Sequence, residues 1–346
     1  MEINVGALVI STNSRIDVSA RGYLGGRSEA NNGNRSGRTL GNTIVGGSNA
    51  RNGGSYGGLG AFGNLEQGVN ATYGSYADPN EVGSGGGSDQ GAGGNGGGLV
   101  RITANTMALD GQILANGGNG GFTGGGGSGG GIKITTGTLT GEGVVRANGG
   151  GGDNTHGGGG GGGRIAVYYD VAPGFSFANL EAQGGSGLNI GGPGTIYTKQ
   201  ALATAQVVVR SNGRETPLPE TLSGENLVVD NATVFATNLT LTSLTLTNGA
   251  VLTHSGAGVS NETWLEINVG DLLISTNSRI DVTARGYLGG RSGANSGIQS
   301  GRTLGNTIVG GSTARNGGSY GGLGALGDLT QTVNGNYGSY ANPNEV

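Results

Sequence analysis

Cysteine is absent from this chain of 346 residues. Its absence excludes disulfide frameworks and zinc sites built on cysteine. Positive charge is also sparse, because 18 lysines and arginines stand against 22 acidic residues, for a net charge of −4. No basic cluster is interleaved with aromatic residues, so we expect no nucleic acid as a partner. No run of about eighteen apolar residues occurs either, so we expect no membrane insertion in this segment.

Catalytic residue types are few and scattered. The only two histidines, His156 and His254, are 98 positions apart, which suits neither a metal site nor a triad. Single carboxylates without a facing partner do not make a glycosidase pair; these are Asp110, Glu142, Asp170 and Glu181. The glycine-rich runs lack the Gly-Lys-Ser/Thr ending of a phosphate loop. We therefore predict no enzyme, no catalytic residue and no cofactor-binding residue.

Glycine is abundant, with 83 residues concentrated in runs at 83–98, 117–131 and 149–163. No strict G-X-Y period is present, which excludes collagen. So much glycine favours disorder. Alternating Val, Ile, Leu and Thr residues around the runs argue against that interpretation.

The chain repeats itself at an offset of 264 residues. Residues 2–82 match residues 266–346 without insertion, and only 15 of these 81 positions differ. We predict one full tandem repeat followed by the start of the next, rather than a single local duplication. The predicted boundaries are 1–264 for the full repeat and 265–346 for the start of the next. Within the repeat, strands occupy 1–21, a Gly/Tyr/Asn-rich extension 22–82, polyglycine-interrupted strands 83–198 and Thr/Val-rich strands 199–264.

A shorter unit of strand, turn and second strand recurs inside the repeat. A pentad of apolar residue, any residue, Ala, polar residue and Gly begins at Val18, Ile113, Val145, Leu180 and Val282. Apolar residues also alternate with Thr and Asn in 226–254; they are Val229, Val234, Leu239, Leu241, Leu244, Leu246 and Val251. Such short strands cannot each bury a face alone, but they can when stacked. We predict an all-β fold, a parallel β-helix (β-solenoid), with Ile134, Val145 and Val167 pointing inward.

Two interpretations of the glycine runs remain open. Stacked strands would place the runs side by side, where they can form hydrogen-bonded helices of the polyproline II type, with three residues per turn. Flexible loops are the alternative. We favour stacked polyglycine II extensions because the runs have similar lengths and return directly into strands. Replacing Gly160 with Val separates the two interpretations.

Several stretches resemble a known group of proteins. They are SGGGIKITTGTLTGEGVVRANGG, GGGGGGGRIAVYYD, GGPGTIYTK and YGSYADPNEVGSGGG. They are similar to the glycine-rich tandem repeats of very large secreted or surface proteins of bacteria. Those proteins are of the β-helix type and are labelled as adhesins. The resemblance implies an extracellular or cell-surface location.

We therefore predict a structural segment of a long extracellular fibre or stalk. Its expected partner is itself, along a fibre or between fibres, and surface polysaccharide is a further candidate. The alternative function is a glycan-binding adhesin that uses the tyrosines of the extension. Tyr56, Tyr73 and Tyr76 are the candidate glycan contacts, and packing of the extension on the strands is the other role that these tyrosines can have.

Two further kinds of site are candidates. Oxygen ligands suited to calcium gather in 76–91, namely Asp78, Asn80, Glu81 and Asp89, although their spacing matches no known calcium loop. Calcium is thus the one candidate ion, and we expect no other cofactor. Glycosylation sequons begin at Asn34, Asn70, Asn231, Asn238 and Asn261. The sequons at Asn34 and Asn70 are lost in the second copy, which argues against an obligatory glycan there.

Overall fold

The computed structural model describes residues 1–65, 68–219, 221–327 and 331–346, and its regular structure is almost entirely β. The first strands are β1 (Glu2–Ile10), β2 (Arg15–Asp17), β3 (Leu99–Leu109), β4 (Gln112–Leu114), β5 (Gly131–Thr140), β6 (Val144–Arg146), β7 (Arg164–Val171) and β8 (Leu180–Glu181). The others are β9 (Thr195–Gln200), β10 (Gln206–Arg210), β11 (Thr216–Pro217), β12 (Asn226–Asp230), β13 (Thr233–Phe235), β14 (Asn238–Thr247), β15 (Val251–Thr253), β16 (Glu266–Ile274) and β17 (Arg279–Ile280). Three single-turn 3₁₀ helices span Glu29–Asn31, Phe177–Asn179 and Gly293–Asn295. The predicted all-β class is confirmed.

Three sheets collect these strands, and their order follows the chain. Nine strands form one sheet in the order β1-β3-β5-β7-β9-β10-β12-β14-β16. Two four-stranded sheets have the orders β2-β4-β6-β8 and β11-β13-β15-β17. Neighbours are parallel in the pairs β1–β3, β3–β5, β5–β7 and β7–β9, whereas β9 and β10 are antiparallel. The sheets are therefore mostly parallel.

One apolar core joins the long and short strands. It contains Ile134 of β5, Val145 of β6 and Val167 of β7, each fully buried, as the alternation predicts. The parallel register aligns Ile102, Ile134 and Val167 on neighbouring strands, so like side chains stack on one another.

The Thr-rich region follows the predicted alternation with one exception. Val229, Val234, Leu239, Leu241, Leu244 and Leu246 are buried. Val251 is only half-buried, while its neighbours Ala250 and Leu252 are fully buried. A turn precedes β15 and shifts its inward-facing positions by one residue relative to the apolar alternation.

Two compact units divide the chain. The first comprises Met1–Val234, Thr240–Leu252 and Asn268–Arg279, and the second comprises Phe235–Leu239, Thr253–Ile267 and Ile280–Val346. The first unit contains the glycine runs together with residues 22–82, and the second contains the matching residues 286–346. Within the described residues, no helix is long and apolar enough to cross a membrane.

Candidate functional site

Amides of the third glycine run bond to their neighbours with a period of three residues. In 158–163, residues three positions apart donate to the same neighbouring segment. The bonds run from Gly158 to Arg51 and Gly161 to Gly54, from Gly159 to Asn189 and Gly162 to Gly192, and from Gly160 to Gly150 and Gly163 to Ala147. Each donor–acceptor distance is between 2.7 and 2.9 Å. Successive residues therefore donate to different neighbouring segments, and the pattern returns to the first segment after three residues.

The second run shows the same arrangement from the middle of the bundle. Residues 124–130 donate to or accept from six surrounding parts of the chain, which are Gly54 and the segments 84–87, 94–97, 115–121, 150–153 and 158–164. Gly127, for example, donates to Gly118 and accepts from Gly150. Backbone groups that would be unsatisfied in a dry interior therefore find partners in neighbouring chains. We call this bundle, formed by the glycine runs at 83–98, 117–131 and 149–163, the glycine lattice.

At Gly160 the lattice leaves no room for a side chain. A Cβ placed on Gly160 would lie 2.5 Å from the carbonyl carbon of Gly127 and would overlap its oxygen. Real Cβ atoms do not approach backbone so closely, and close approach of this kind is a reason for glycine.

The extension at 22–82 packs on the lattice through its own glycines. The amides of Gly54, Gly58 and Ala61 donate to the carbonyls of Gly126, Gly162 and Gly159 at 2.9, 2.8 and 2.8 Å. Residues 52–58 are all buried. An internal network supports this segment, because the buried Asn70 amide group accepts from Ser48 and from the Ser55 backbone and donates back to the Ser55 carbonyl.

A buried arginine fastens the extension to the strands. Arg164, at the start of β7, is only 4% exposed. Its guanidinium lies 5.5 Å from the ring centroid of Tyr56, donates through Nε to the Tyr73 carbonyl at 2.9 Å and donates through Nη1 to Thr195 at 3.1 Å. Burial lowers the pKa of Arg164 because water no longer solvates the charge. The ring face and the carbonyl oxygen partly replace that solvation.

The candidate glycan contacts lie mostly inside. Tyr56 is fully buried and Tyr76 is 5% exposed, while Tyr73 is half-buried with its hydroxyl donating to the Val82 carbonyl at 2.6 Å. Burial raises the pKa of Tyr56, of Tyr73 and of Tyr76 above the usual value for tyrosine. In this structure these rings bind the protein itself.

The candidate calcium ligands are not brought together. Asp78 binds Lys133 at 2.8 Å and Arg101 at 3.3 Å, and the hydrogen bond from Lys133 is the main reason that the pKa of Asp78 is lowered. Asp89 binds Arg51 at 2.9 Å and also Arg35. Asn80 is exposed and Glu81 half-buried. No group of three or more metal-binding side chains occurs within the part of the chain that the structure describes.

The sequons differ in accessibility. Asn231, Asn238 and Asn261 are exposed, and Asn34 is half-buried. Asn70 is 2% exposed, and its Nδ2 donates within the protein, so a glycan cannot be attached there in the folded chain. The sequon pattern did not predict that Asn70 forms the centre of this hydrogen-bond network.

The histidines and scattered carboxylates make local contacts. His156 Nδ1 lies 2.9 Å from Asp153 Oδ2, three residues away, and the backbone amides of Thr123 and Thr155 lower the pKa of Asp153 to about 2. The buried His254 bonds to the Ser255 carbonyl at 2.7 Å. Glu181 forms an ion pair with Arg146 at 2.9 Å, and Asp110 accepts from the Glu142 backbone at 3.3 Å.

No protein-family model, curated protein or solved structure matches this chain.

Proposed function

We propose that this chain is a structural segment of a long extracellular fibre or stalk, built from tandem β-solenoid repeats without a catalytic role. One observation carries the proposal. The near-identical strands β1 and β16 are the first and last of the nine-stranded sheet. The same strand sequence thus recurs at the opposite end of the sheet, where the antiparallel β9–β10 pair has reversed its direction relative to β1. An open-ended array would continue from β16 with each repeat turned relative to the one before.

The finer architecture is part of this proposal. Except at β9, which is followed directly by the antiparallel β10, long strands of the nine-stranded sheet alternate along the chain with short strands of the four-stranded sheets. Each such pair of a long and a short strand corresponds to one turn of a parallel solenoid. The three-residue period and the six neighbours of the glycine lattice support helices of the polyglycine II type.

Such an arrangement suits a load-bearing element. In a solenoid, ladder hydrogen bonds run along the axis, so stretching works against many of them together. The lattice adds bonds between successive turns, such as Gly94 to Gly125 and Gly126 to Gly158. Successive strands pair with their neighbours in the sheet, so the array can lengthen without a new fold.

Length measured against repeat number tests the proposal. β1 and β16 are eight strand steps apart, so each 264-residue repeat should add about 38 Å along the sheet at about 4.8 Å per step. Proteins with one, two and three copies of residues 1–264 should appear in electron micrographs as rods whose lengths rise linearly. Particles that become rounder, without lengthening, would contradict the fibre.

Location needs a separate experiment. Antibodies against this segment should label intact source cells or their secreted material. Labelling only after the cells are permeabilised would contradict the extracellular part of the proposal.

The glycan-binding alternative gains no support from the tyrosines for which it was predicted. Tyr56 and Tyr76 are buried against other protein groups, and a sugar would have to displace the extension to reach them. Binding on a glycan array that is lost on replacing Tyr73 would revive that alternative.

A further inference from the structure

The second copy of the extension has the same internal structure as the first. Ser312 donates to the Gly317 carbonyl at 2.6 Å and to Asn334 at 2.8 Å, as Ser48 does to Gly53 and Asn70 at 2.6 and 2.9 Å. The backbone bonds that shape the loop also recur, including Tyr337 to Tyr320 at 3.1 Å, which matches Tyr73 to Tyr56 at 3.1 Å. The loop conformation is therefore set by its own sequence.

Its outer face, in contrast, is exposed among the residues that the structure describes. Gly317, Gly318, Gly321 and Gly322 are exposed, whereas the matching Gly53, Gly54, Gly57 and Gly58 are buried. The amides of Gly318, Gly321 and Gly322 donate no hydrogen bond within the described residues, while those of Gly54, Gly57 and Gly58 all donate to the glycine lattice. A Cβ on Gly322 would meet nothing within 4 Å, but one on Gly58 would lie 2.7 Å from the carbonyl carbon of Gly192.

A cavity lies beside the two tyrosines that match the partners of Arg164 in the first copy. It has a volume of about 320 Å³ and is lined by Tyr320, Tyr337 and Gly338 among others. The matching Tyr56 and Tyr73 hold the guanidinium of Arg164. Tyr320 is 37% exposed, whereas Tyr56 is fully buried.

We propose that Gly317, Gly318, Gly321 and Gly322, together with the cavity between Tyr320 and Tyr337, form an acceptor face for a further glycine block. The occupant is a segment with the chemistry of residues 83–198 that continues the same polypeptide after Val346. Its arginine, equivalent to Arg164, enters the cavity. The proposal rests on the tandem organisation proposed above and names the contact that joins one repeat to the next.

Two features of the face select this occupant. The unpaired amides lie on backbone that carries no side chains. Their partner must be a chain whose carbonyl oxygens can approach this backbone directly, and only a glycine run can come that close. The cavity offers a tyrosine ring face and a backbone carbonyl, which suit a planar guanidinium better than a compact ammonium group.

Adding the missing block tests the proposal. Residues 83–264 are appended after Val346 of the 346-residue chain, and amide hydrogen exchange is followed at 317–324. Residues 53–60 of the same molecule are the internal reference. We expect protection at 317–324 to rise to the level at 53–60. Unchanged exchange at 317–324, with 53–60 still protected, would overturn the proposal.

Matched glycine variants separate docking from folding. Gly322→Val should leave the melting temperature of the 346-residue chain unchanged, because the site is open. In the lengthened chain the same change should abolish the added protection at 317–324. Gly58→Val should destabilise both chains. Full protection at 317–324 in the lengthened Gly322→Val chain would contradict the acceptor face.

The arginine is tested in the appended block. Replacing its equivalent of Arg164 with leucine should reduce protection around Tyr337 at least tenfold, and lysine should restore it only partly. Equal protection in all three versions would remove the arginine from the proposal.

Oligomeric state identifies the source of the occupant. The lengthened chain should remain monomeric by light scattering. Protection at 317–324 in a concentration-dependent oligomer of the 346-residue chain would overturn docking within one chain. Failure of the fibre proposal alone would give a different result. Residues 317–324 would then be protected in the lengthened chain, but rod length would not rise with repeat number.

Discussion

Residues 22–82 and 286–346 are almost the same sequence in two environments. The first copy is covered by the glycine lattice, and the second presents its glycine face to solvent. Their internal hydrogen bonds nevertheless agree closely, as the Ser48–Asn70 and Ser312–Asn334 pairs show. The loop sequence therefore determines the conformation of the extension, whereas the burial of the extension depends on the glycine block that follows it.

The same contrast holds for the strands that precede the two extensions. Ile10 is 5% exposed, and its equivalent Ile274 is 41% exposed. Both strands lie at an edge of the sheet, but Ile10 of β1 belongs to the apolar core beside β3, whereas Ile274 of β16, next to β14, is not part of that core. Identical side chains can therefore contribute differently to stability, and paired substitutions measure the difference.

The largest difference is expected for valine at equivalent glycines. Gly54→Val places a Cβ 2.8 Å from the carbonyl oxygen of Gly85, and Gly318→Val meets nothing within 4 Å. Overpacking against backbone should lower the free energy of unfolding by about 3 kcal/mol or more for Gly54→Val. Gly318→Val should change it by less than about 0.5 kcal/mol. Chemical denaturation of both variants checks this, and equal effects would contradict the lattice contact.

Truncation of the paired isoleucines should give a smaller difference. Ile10→Ala leaves a cavity in the core and should cost about 2 to 3 kcal/mol. Ile274→Ala, at an exposed position, should cost about 1 kcal/mol or less. Thermal melts with the same wild-type control provide the measurement. A larger loss for Ile274→Ala would mean that the end of the sheet is better covered than its exposure indicates.

Alkaline pH should weaken the first copy through its buried tyrosine. Burial raises the pKa of Tyr56 above the usual value of about 10, so its contribution to stability is fully present below pH 10 and is lost as the pH rises through the folded-state pKa. The loss should be about 1.4 kcal/mol per pH unit above 10 for such a tyrosine.

Phenylalanine variants isolate that contribution. The Tyr56 hydroxyl is buried beside the backbone of Glu81 without a well-formed hydrogen bond, so Tyr56→Phe should be nearly neutral at neutral pH. It should also reduce the alkaline loss measured by denaturation between about pH 9 and pH 11. Tyr320→Phe is the matched control, and an equal reduction there would argue against burial as the cause.

The smallest effect is expected at Asp78, where the second copy has Asn342. Asp78 is half-exposed, so its ion pairs with Lys133 and Arg101 should contribute only about 0.2 to 1 kcal/mol. Asp78→Asn should therefore hardly change the melting temperature near neutral pH. Because the candidate ligands Asp78 and Asp89 each bind a cationic side chain, added calcium should not raise the melting temperature either. A calcium-dependent rise that Asp78→Asn removes would restore the metal site.

Local alternation in the sequence predicted much of the fold. The inward positions Ile134, Val145 and Val167 follow from a period of two, which is a property of the strand itself. Register was harder to predict. The pentad pattern aligns Val18 with Ile113, but β2 and β4 pair Ile16 with Ile113. A shift by two residues keeps every side chain on its face, so the pattern alone cannot detect it.

The contacts that attach the extension could not be predicted from the sequence. Arg164 is followed by an apolar strand and looks like a solvated charge, yet its partner Tyr73 is 91 residues away. The sequence pattern marks Asn70 only as a sequon, whereas in the structure its amide group bridges Ser48 and Ser55. Both roles depend on long-range packing, which no local pattern records.

Site-resolved amide exchange tests the central claim that the glycine runs form a hydrogen-bonded lattice that covers one copy of the extension. Gly159–Gly162 and the lattice-bound Gly54, Gly57 and Gly58 should exchange almost as slowly as β5 and β7. Gly318, Gly321 and Gly322 should exchange at close to unprotected rates. Fast exchange throughout 157–163, or equal exchange in the two copies, would contradict it.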